Sequence, residues 1–271
     1  MSREPQIRLG GMALANGVLV HGPRHWSCAV RTDDGEVKVA SGLKPVRAVD
    51  VKSRLVRGPA RVAEIFALLL EVRRHLPEAK LPFQRPGVVG AMAGSMVAIQ
   101  AVRRTPFSPL TQESVAALLA LGPAVVALRG TALAEYHGAE HISIGSYEHG
   151  EPRTREHERC GSHMIGPLLA TTVVGSAIAS RAPRHLRPVA RVAAGVGSVA
   201  AAVEVFSWMV ANERHPVARA LARPGHELQQ RLVTAEPSAE QLEVANAALA
   251  ACLALESPAN GHRDEETAAS A

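Results

Sequence analysis

Two histidines one helical turn apart are the residues of this chain most clearly suited to chemistry. His137 and His141 enclose Gly138-Ala139-Glu140, and on a helix positions four residues apart lie on the same face. Both imidazoles can therefore reach one metal ion. The string also matches the HxxEH pattern of inverted zinc peptidases, in which two histidines hold the ion and the glutamate activates water. We predict His137 and His141 as metal ligands and Glu140 as the catalytic base.

A second group of ligand-type residues follows downstream. His157 and Cys160 are three residues apart, and they complete a four-ligand set of nitrogen and sulfur donors. Such mixed ligation favours zinc, although iron, cobalt or copper would also be accepted. Two alternatives stay open here. Four protein ligands would make a closed structural site, whereas water in the place of His157 would allow hydrolysis.

Glu204 interrupts the otherwise apolar segment 199–210. An ionisable group there must pair, coordinate a metal ion or change its protonation state. We predict Glu204 as a further metal ligand, as a hydrogen-bond acceptor for a ligand imidazole, or as a partner of Arg129 or Arg191.

The composition predicts a helical body. Of the 271 residues, 47% are hydrophobic and only 3% are aromatic, so the apolar content is mostly Ala, Val and Leu. The net charge of +5 is not arranged as basic runs interleaved with stacking aromatics, and we predict no nucleic-acid partner. Three scattered cysteines are too few for a disulfide framework and fit a reducing compartment. The segment MSREPQIRLGG has no apolar run of signal-peptide length, so we expect no cleaved export signal.

The pattern along the chain predicts three regions. Residues 1–58 form a small β element and a linker, with strands at 18–20, 27–31 and 36–40 and a turn at Asp34-Gly35. Residues 59–256 form a helical domain that carries the metal-site residues. It begins with an amphipathic helix from Pro59 to His75, contains a loop at Arg223-Pro224-Gly225, and ends in a helix capped by Ser238. Residues 257–271 are polar and are predicted to be a disordered tail.

Four apolar stretches lie in the helical domain, at 88–102, 115–128, 164–179 and 192–210. Three of them are shorter than the roughly 20 residues that cross a hydrocarbon core, and Glu204 interrupts the fourth. The connection 181–191 carries four arginines and no acid, which conflicts with the positive-inside rule if the stretches cross as hairpins. Either the segments are packed, re-entrant or tilted helices, or the rule fails here. The predicted fold is mainly α, a helical bundle embedded in or associated with a membrane, with the lipid bilayer as its partner.

The chain resembles the YqhQ-like family, an uncharacterised group of bacterial membrane proteins whose members are described as predicted metal-dependent enzymes. Four blocks carry the resemblance: Gly10-Gly11 through Gly17-Val18 to Gly22-Pro23, Arg57-Gly58, Tyr136 to His141 with Arg159-Cys160-Gly161, and Pro224-Gly225 with Leu228-Gln229 and Glu236-Pro237. The resemblance implies several membrane-spanning helices. It also implies site positions at His137, Glu140, His141, His157 and Cys160, together with a glutamate at Glu204. Where the family tends to have Glu-Gly-Val, this chain has Asn16-Gly17-Val18, so one acidic position is missing.

The sequence thus predicts a membrane-associated, zinc-type metal-dependent protein, a hydrolase of unknown substrate. It is expected at the cell membrane with the metal-site loop facing the cytoplasm. The alternative is a non-enzymatic membrane scaffold or insertion factor in which the metal is structural.

Overall fold

A computed structural model describes residues 6–257 of the chain, so the predicted tail at 257–271 lies almost entirely outside the described residues. The N-terminal part forms an antiparallel sheet of four strands in the order β1-β2-β3-β4. The strands are β1 (Gly10–Leu14), β2 (Gly17–His21), β3 (His25–Arg31) and β4 (Val37–Leu43). Gly35, with φ of 88°, lies in the turn between β3 and β4 that the sequence predicts at Asp34-Gly35.

The helices occupy most of the remaining chain. They are α1 (Arg54–His75), α2 (Pro86–Val102), α3 (Pro109–Leu119), α4 (Gly122–Leu128), α5 (Ala132–His149), α6 (Ile165–Ser180), α7 (Arg187–Ala211), α8 (Pro216–Leu228) and α9 (Ala239–Glu256). A short turn of 3-10 helix, Gly161–Met164, precedes α6, and a π-helical turn, Gln229–Val233, follows α8. The mainly α architecture with a small N-terminal β element is therefore confirmed.

The sheet is covered on both faces, because its residues alternate between two cores. On one face Leu14, Leu19 and Trp26 pack with Leu68 and Val72 of α1. On the other face the sheet packs against α5 and α9, through a core that includes Val18, Val20, Ala29, Ala139, Ile144, Val244, Ala248 and Cys252. The sheet thus fixes α5, the helix that carries the candidate metal ligands.

Three helical segments are long and apolar enough to cross a membrane, namely Leu110–Leu128, Gly161–Ser180 and Arg187–Ala211. The shorter α2 is also apolar. Large side chains on these helices point outward, for example Val97 at 71% exposure, Val192 at 70% and Ile178 at 62%. Exposed apolar surface on this scale is what lipid-facing helices present, and it supports association with a membrane.

The helices α6 and α7 form an antiparallel hairpin that hydrogen bonds stabilise near its middle. The Thr171 hydroxyl donates to the Ser198 carbonyl at 3.0 Å, and the Ser198 hydroxyl donates to the Thr171 carbonyl at 2.9 Å. Small polar side chains that bond across a helix pair are a common feature of membrane helix packing.

Two prolines lie inside helices where the sequence predicts a helix start and a loop. Pro59 is within α1, which begins at Arg54, and Pro224 is within α8. The extra turn of α1 is held by an ion pair between Arg57 and Glu204 of α7. In α8, Pro224 lacks the N–H that would bond the carbonyl four residues earlier, but packing against Gly161–Met164 holds the helix together. Tertiary contacts therefore override both local signals.

Candidate metal site

Helix α5 places three candidate site residues on one side. His137, Glu140 and His141 lie within a little more than one turn, and the ring centroids of the two histidines are 4.4 Å apart. An extended segment after the π-helical turn runs close to this helix, where a Cβ on Gly138 would overlap the Ala235 carbonyl. Glycine at 138 therefore permits the contact that brings the Val233 carbonyl to His137.

Backbone carbonyls determine the tautomer of both imidazoles. The Nδ1 atom of His137 lies 2.7 Å from the Val233 oxygen, and the Nδ1 atom of His141 lies 2.7 Å from the Arg155 oxygen. Since a carbonyl can only accept, each Nδ1 must carry the proton that it donates. In the neutral imidazole each Nε2 then keeps a lone pair, which is the arrangement that metal-ligating histidines typically show.

Cys160 completes a group of three side chains that could hold a metal ion. Its Sγ lies 3.5 Å from His137 Nε2, and ligand atoms of His137, His141 and Cys160 all lie within 4.8 Å of one another. A tetrahedral zinc with bonds of about 2.0 to 2.3 Å keeps its ligand atoms roughly 3.4 to 3.7 Å apart. The His137–Cys160 distance has this value, so these two side chains are spaced to share a cation, and His141 is close enough to join them.

Glu140 faces the two histidines from a buried position. Its Oε2 is 3.8 Å from the Nε2 atoms of both His137 and His141. A Cβ on Gly11 of β1 would overlap the Glu140 carboxylate, so glycine there leaves room for the acid. Burial raises the pKa of Glu140, and the charges of His137 and His157 oppose that rise. Burial also lowers the pKa of His141, which favours the neutral imidazole that a metal needs.

His157 lies beside this group and is paired elsewhere. Its ring centroid is 5.5 Å from that of His141, but its Nε2 is 3.0 Å from a carboxylate oxygen of Glu148. Arg159 also pairs with Glu148. The structure thus places His157 next to the three-residue group and outside it, and its role as a ligand stays a prediction.

Glu204 is on α7, where Arg57 Nη2 binds its Oε1 at 2.5 Å. The structure pairs it with a cation from α1, and not with Arg129 or Arg191 as the sequence suggested. It is not part of the group formed by His137, His141 and Cys160, and its predicted ligation also stays a prediction.

Two functional-site residues escape the sequence reasoning. Glu148 orients His157, and its position seven residues after His141, two helical turns along α5, is a signal that would have placed it on the same face. Gln229, the first residue of the π-helical turn after α8, is fully buried. Its Oε1 accepts from the His157 N–H at 2.9 Å, and its Nε2 lies 2.9 Å from the Ser162 hydroxyl. It therefore joins the loop that carries His157 to the end of α8. No local pattern marks Gln229, because its partners lie about 70 positions away.

Comparisons with known proteins support the family resemblance. The family model described as a protein of unknown function (DUF1385) matches residues 131–255, the stretch that contains His137, Glu140, His141 and Cys160. The chain is 28% identical over 287 aligned positions to the uncharacterized protein YqhQ of Bacillus subtilis (strain 168), covering 87% of this chain and 89% of that protein. No solved structure matches the chain.

Proposed function

We propose that this chain, a YqhQ-like protein of a family without assigned function, is a membrane-associated metal-dependent hydrolase with a zinc-type site. His137, His141 and Cys160 would hold the ion, and Glu140 would act as the base. The observation that carries the proposal is the convergence of two imidazole nitrogens and a thiol sulfur within 4.8 Å, beside a buried carboxylate.

The donor set favours zinc over harder cations, since two imidazoles and a thiolate are borderline-soft ligands. A bound zinc-type ion would supply Lewis acidity toward water and toward a substrate oxygen. The three protein ligands would leave one tetrahedral position for water or substrate, as in catalytic zinc sites.

Glu140 would move the proton. Burial brings the carboxyl pKa up from its ordinary value, and a base with a raised pKa transfers protons more effectively near neutral pH. His157 would serve as a proton shuttle or as a fourth ligand. Its contact with Glu148 supports the shuttle role, because the carboxylate holds the imidazole beside the site.

The expected location is the cell membrane, with the sheet and the metal-site loop on the cytoplasmic side. Three apolar helices of spanning length support the location at the membrane. All three cysteines are free and buried, which suits a reducing compartment and leaves the Cys160 sulfur outside any disulfide.

A structural metal site in a non-enzymatic membrane scaffold or insertion factor is the second candidate. The closeness of His157 to His141 favours it, because a change of rotamer would bring a fourth protein ligand toward the ion. The ion would then only attach the 150–163 loop to α5.

Metal analysis of the purified full-length protein, with a hydrolysis screen, tests the proposal. We expect about one zinc per chain in the wild type, and a loss of at least tenfold in metal affinity for Cys160→Ser. Cys252→Ala removes another buried cysteine, one outside the ligand group, and serves as the matched control that keeps the metal.

Glu140→Gln separates catalysis from structure. We expect it to keep the metal and to lose at least about 100-fold in hydrolysis of whichever ester, phosphate ester or peptide in the panel the wild type cleaves. Full wild-type turnover, or full cellular complementation by Glu140→Gln, would exclude the hydrolase. Unfolding of Cys160→Ser on loss of the metal would assign the structural role.

A further inference from the structure

A cavity of about 1280 Å³ opens beside the candidate metal site. His157 and Gln229 line its inner part, and the ends of α7 and α8 form two of its walls. The volume is somewhat above the usual range of small-molecule sites, roughly 300–1,000 Å³, so it is large enough for a ligand with a headgroup and part of a chain.

The cavity has an excess of positive charge that the protein does not neutralise. Several of its charged residues pair with one another: Arg153 with Glu158, Arg159 with Glu148, and His226 near Glu156. The side chains of Arg214, Arg219 and Arg223 also line it, and in the described part of the chain no carboxylate lies within ion-pair distance of them. With the histidines counted as neutral, the lining carries five arginines and four glutamates, so a surplus of one positive charge remains.

Arg219 and Arg223 are suited to bind one anion together. They are four residues apart on α8, so they lie on the same face of that helix. Guanidinium groups present a planar set of donors that matches the oxygens of a phosphate, and two of them can bind the same group from adjacent turns.

The C-terminal end of α7 gives the cavity an apolar wall. Phe206, Met209 and Val210 line the cavity and belong to the C-terminal end of a helix that is long and apolar enough to cross a membrane. The arginines follow directly where the chain leaves this helix. The cavity therefore has an apolar wall on α7 and a cationic wall on α8. A bilayer crossed by α7 would have its headgroups near the end of that helix, where anionic lipids meet basic side chains.

We propose that this cavity binds an amphiphile with a phosphate headgroup, such as an anionic phospholipid. Arg219 and Arg223 bind the phosphate, and the apolar chain lies along Phe206 and Met209. The inference concerns ligand binding and does not depend on a catalytic metal, so it can stand or fall separately from the proposed hydrolase.

Calorimetric titration of the full-length protein in non-ionic micelles tests the proposal with three probes. Dihexanoyl phosphatidic acid is expected to bind at least about tenfold more tightly than dihexanoyl phosphatidylcholine, because both partition into micelles but only the former is a phosphate monoester. Inorganic phosphate is expected to bind at least about tenfold more weakly than phosphatidic acid, since it lacks the chain. Equal binding of phosphate would overturn the amphiphile and assign the cavity to a soluble phosphate compound.

Paired substitutions locate the binding. Arg219→Gln with Arg223→Gln is expected to weaken phosphatidic acid binding at least about tenfold. Arg181→Gln with Arg184→Gln removes the same charge from exposed positions at the α6–α7 connection and is expected to change binding by less than about twofold. Equal losses in both pairs, or equal binding of the zwitterionic lipid, would overturn the proposal.

A conservative variant and the metal content complete the test. Arg219→Lys keeps the charge and loses the planar donor set, so we expect a loss of phosphatidic acid affinity smaller than that of the double variant. Because Arg219 is exposed, this single variant also provides the test if the double variant does not fold. Unchanged zinc content in the arginine variants shows that any loss of lipid binding arises in the cavity and not at the metal site.

Discussion

Hydrogen bonds to the main chain orient the two imidazoles of the candidate metal site. Two main-chain carbonyls from distant parts of the chain, Val233 and Arg155, hold the imidazoles of His137 and His141 with their Nε2 atoms toward Cys160. Such support lowers the cost of binding, because the ligands need little reorganisation. The same arrangement keeps Glu140 within 3.8 Å of both nitrogens.

Gly11→Ala tests whether this packing holds the acid in place. The new methyl group would overlap the Glu140 carboxylate, which must move away from His137 and His141. We expect a loss of about 1–3 kcal/mol in the free energy of unfolding, as in overpacked cores, together with reduced hydrolysis but retained zinc. Denaturant unfolding and metal analysis measure the two effects.

Gly90→Ala is the matched control for that change, because a Cβ at Gly90 of α2 meets nothing within 4 Å. Its stability should be unchanged or slightly higher, since alanine favours a helix. An equal loss in both variants would show that the contact between Gly11 and Glu140 has no special effect.

At the scale of elements, α1 connects the sheet to the apolar helices. Its C-terminal half packs on the sheet through Leu68 and Val72, while Arg57 near its start pairs with Glu204 of α7. The two side chains are about 30% exposed, so water partly screens the pair. The pair still fixes α1 against α7, and therefore the sheet against the apolar helices.

A double-mutant cycle on Arg57→Gln and Glu204→Gln measures this connection. We expect a coupling of about 1 kcal/mol in the free energy of unfolding, because each single variant leaves a half-buried charge without its partner. Additive effects would contradict the pairing.

The zinc content of Glu204→Gln separates the two roles considered for this residue. If Glu204 only pairs with Arg57, Glu204→Gln keeps the zinc content of the wild type. If Glu204 is a metal ligand, Glu204→Gln lowers the zinc content. Glu71→Gln is a suitable control, because Glu71 lies on α1, the helix of Arg57, and its ion pair with Arg74 stays within that helix.

At the scale of the molecule, the structure joins a packed sheet region to helices with outward-facing apolar side chains. Val97, Val192 and Ile178 have no counterpart in the described residues that covers them, and the segments that carry Val192 and Ile178 are long enough to span a bilayer. We therefore expect the protein to stay in the membrane fraction after a carbonate wash and to require detergent for extraction. Release by carbonate would contradict membrane insertion.

Labelling of one added cysteine at a time would then give the orientation of the chain in the membrane. Asp34→Cys lies in the exposed β3–β4 turn, and Arg184→Cys lies in the exposed α6–α7 connection. The three native cysteines are buried and can stay. If the hairpin crosses the membrane, an impermeant reagent labels Arg184→Cys in whole cells and Asp34→Cys only after lysis. Labelling of Asp34→Cys in whole cells would reverse the proposed orientation.

The local features of this protein follow from its sequence. Histidines four residues apart share a helix face whatever surrounds them, Asp34-Gly35 forms a turn, and Ser238 with Gln241 forms the predicted capping box at the start of α9. The side chains of His137, His141 and Cys160 converge because a short loop brings the thiol back to α5, and their role as metal ligands stays a prediction.

Tertiary structure decided the remaining features. His157 pairs with Glu148, Glu204 pairs with Arg57, and Pro59 and Pro224 lie inside helices. Each of these outcomes depends on which groups the fold brings within a few ångströms, and a linear pattern of residue types contains no such distances. Spacing along the chain specifies only what one element can present, whereas packing between elements determines which partner each side chain finds.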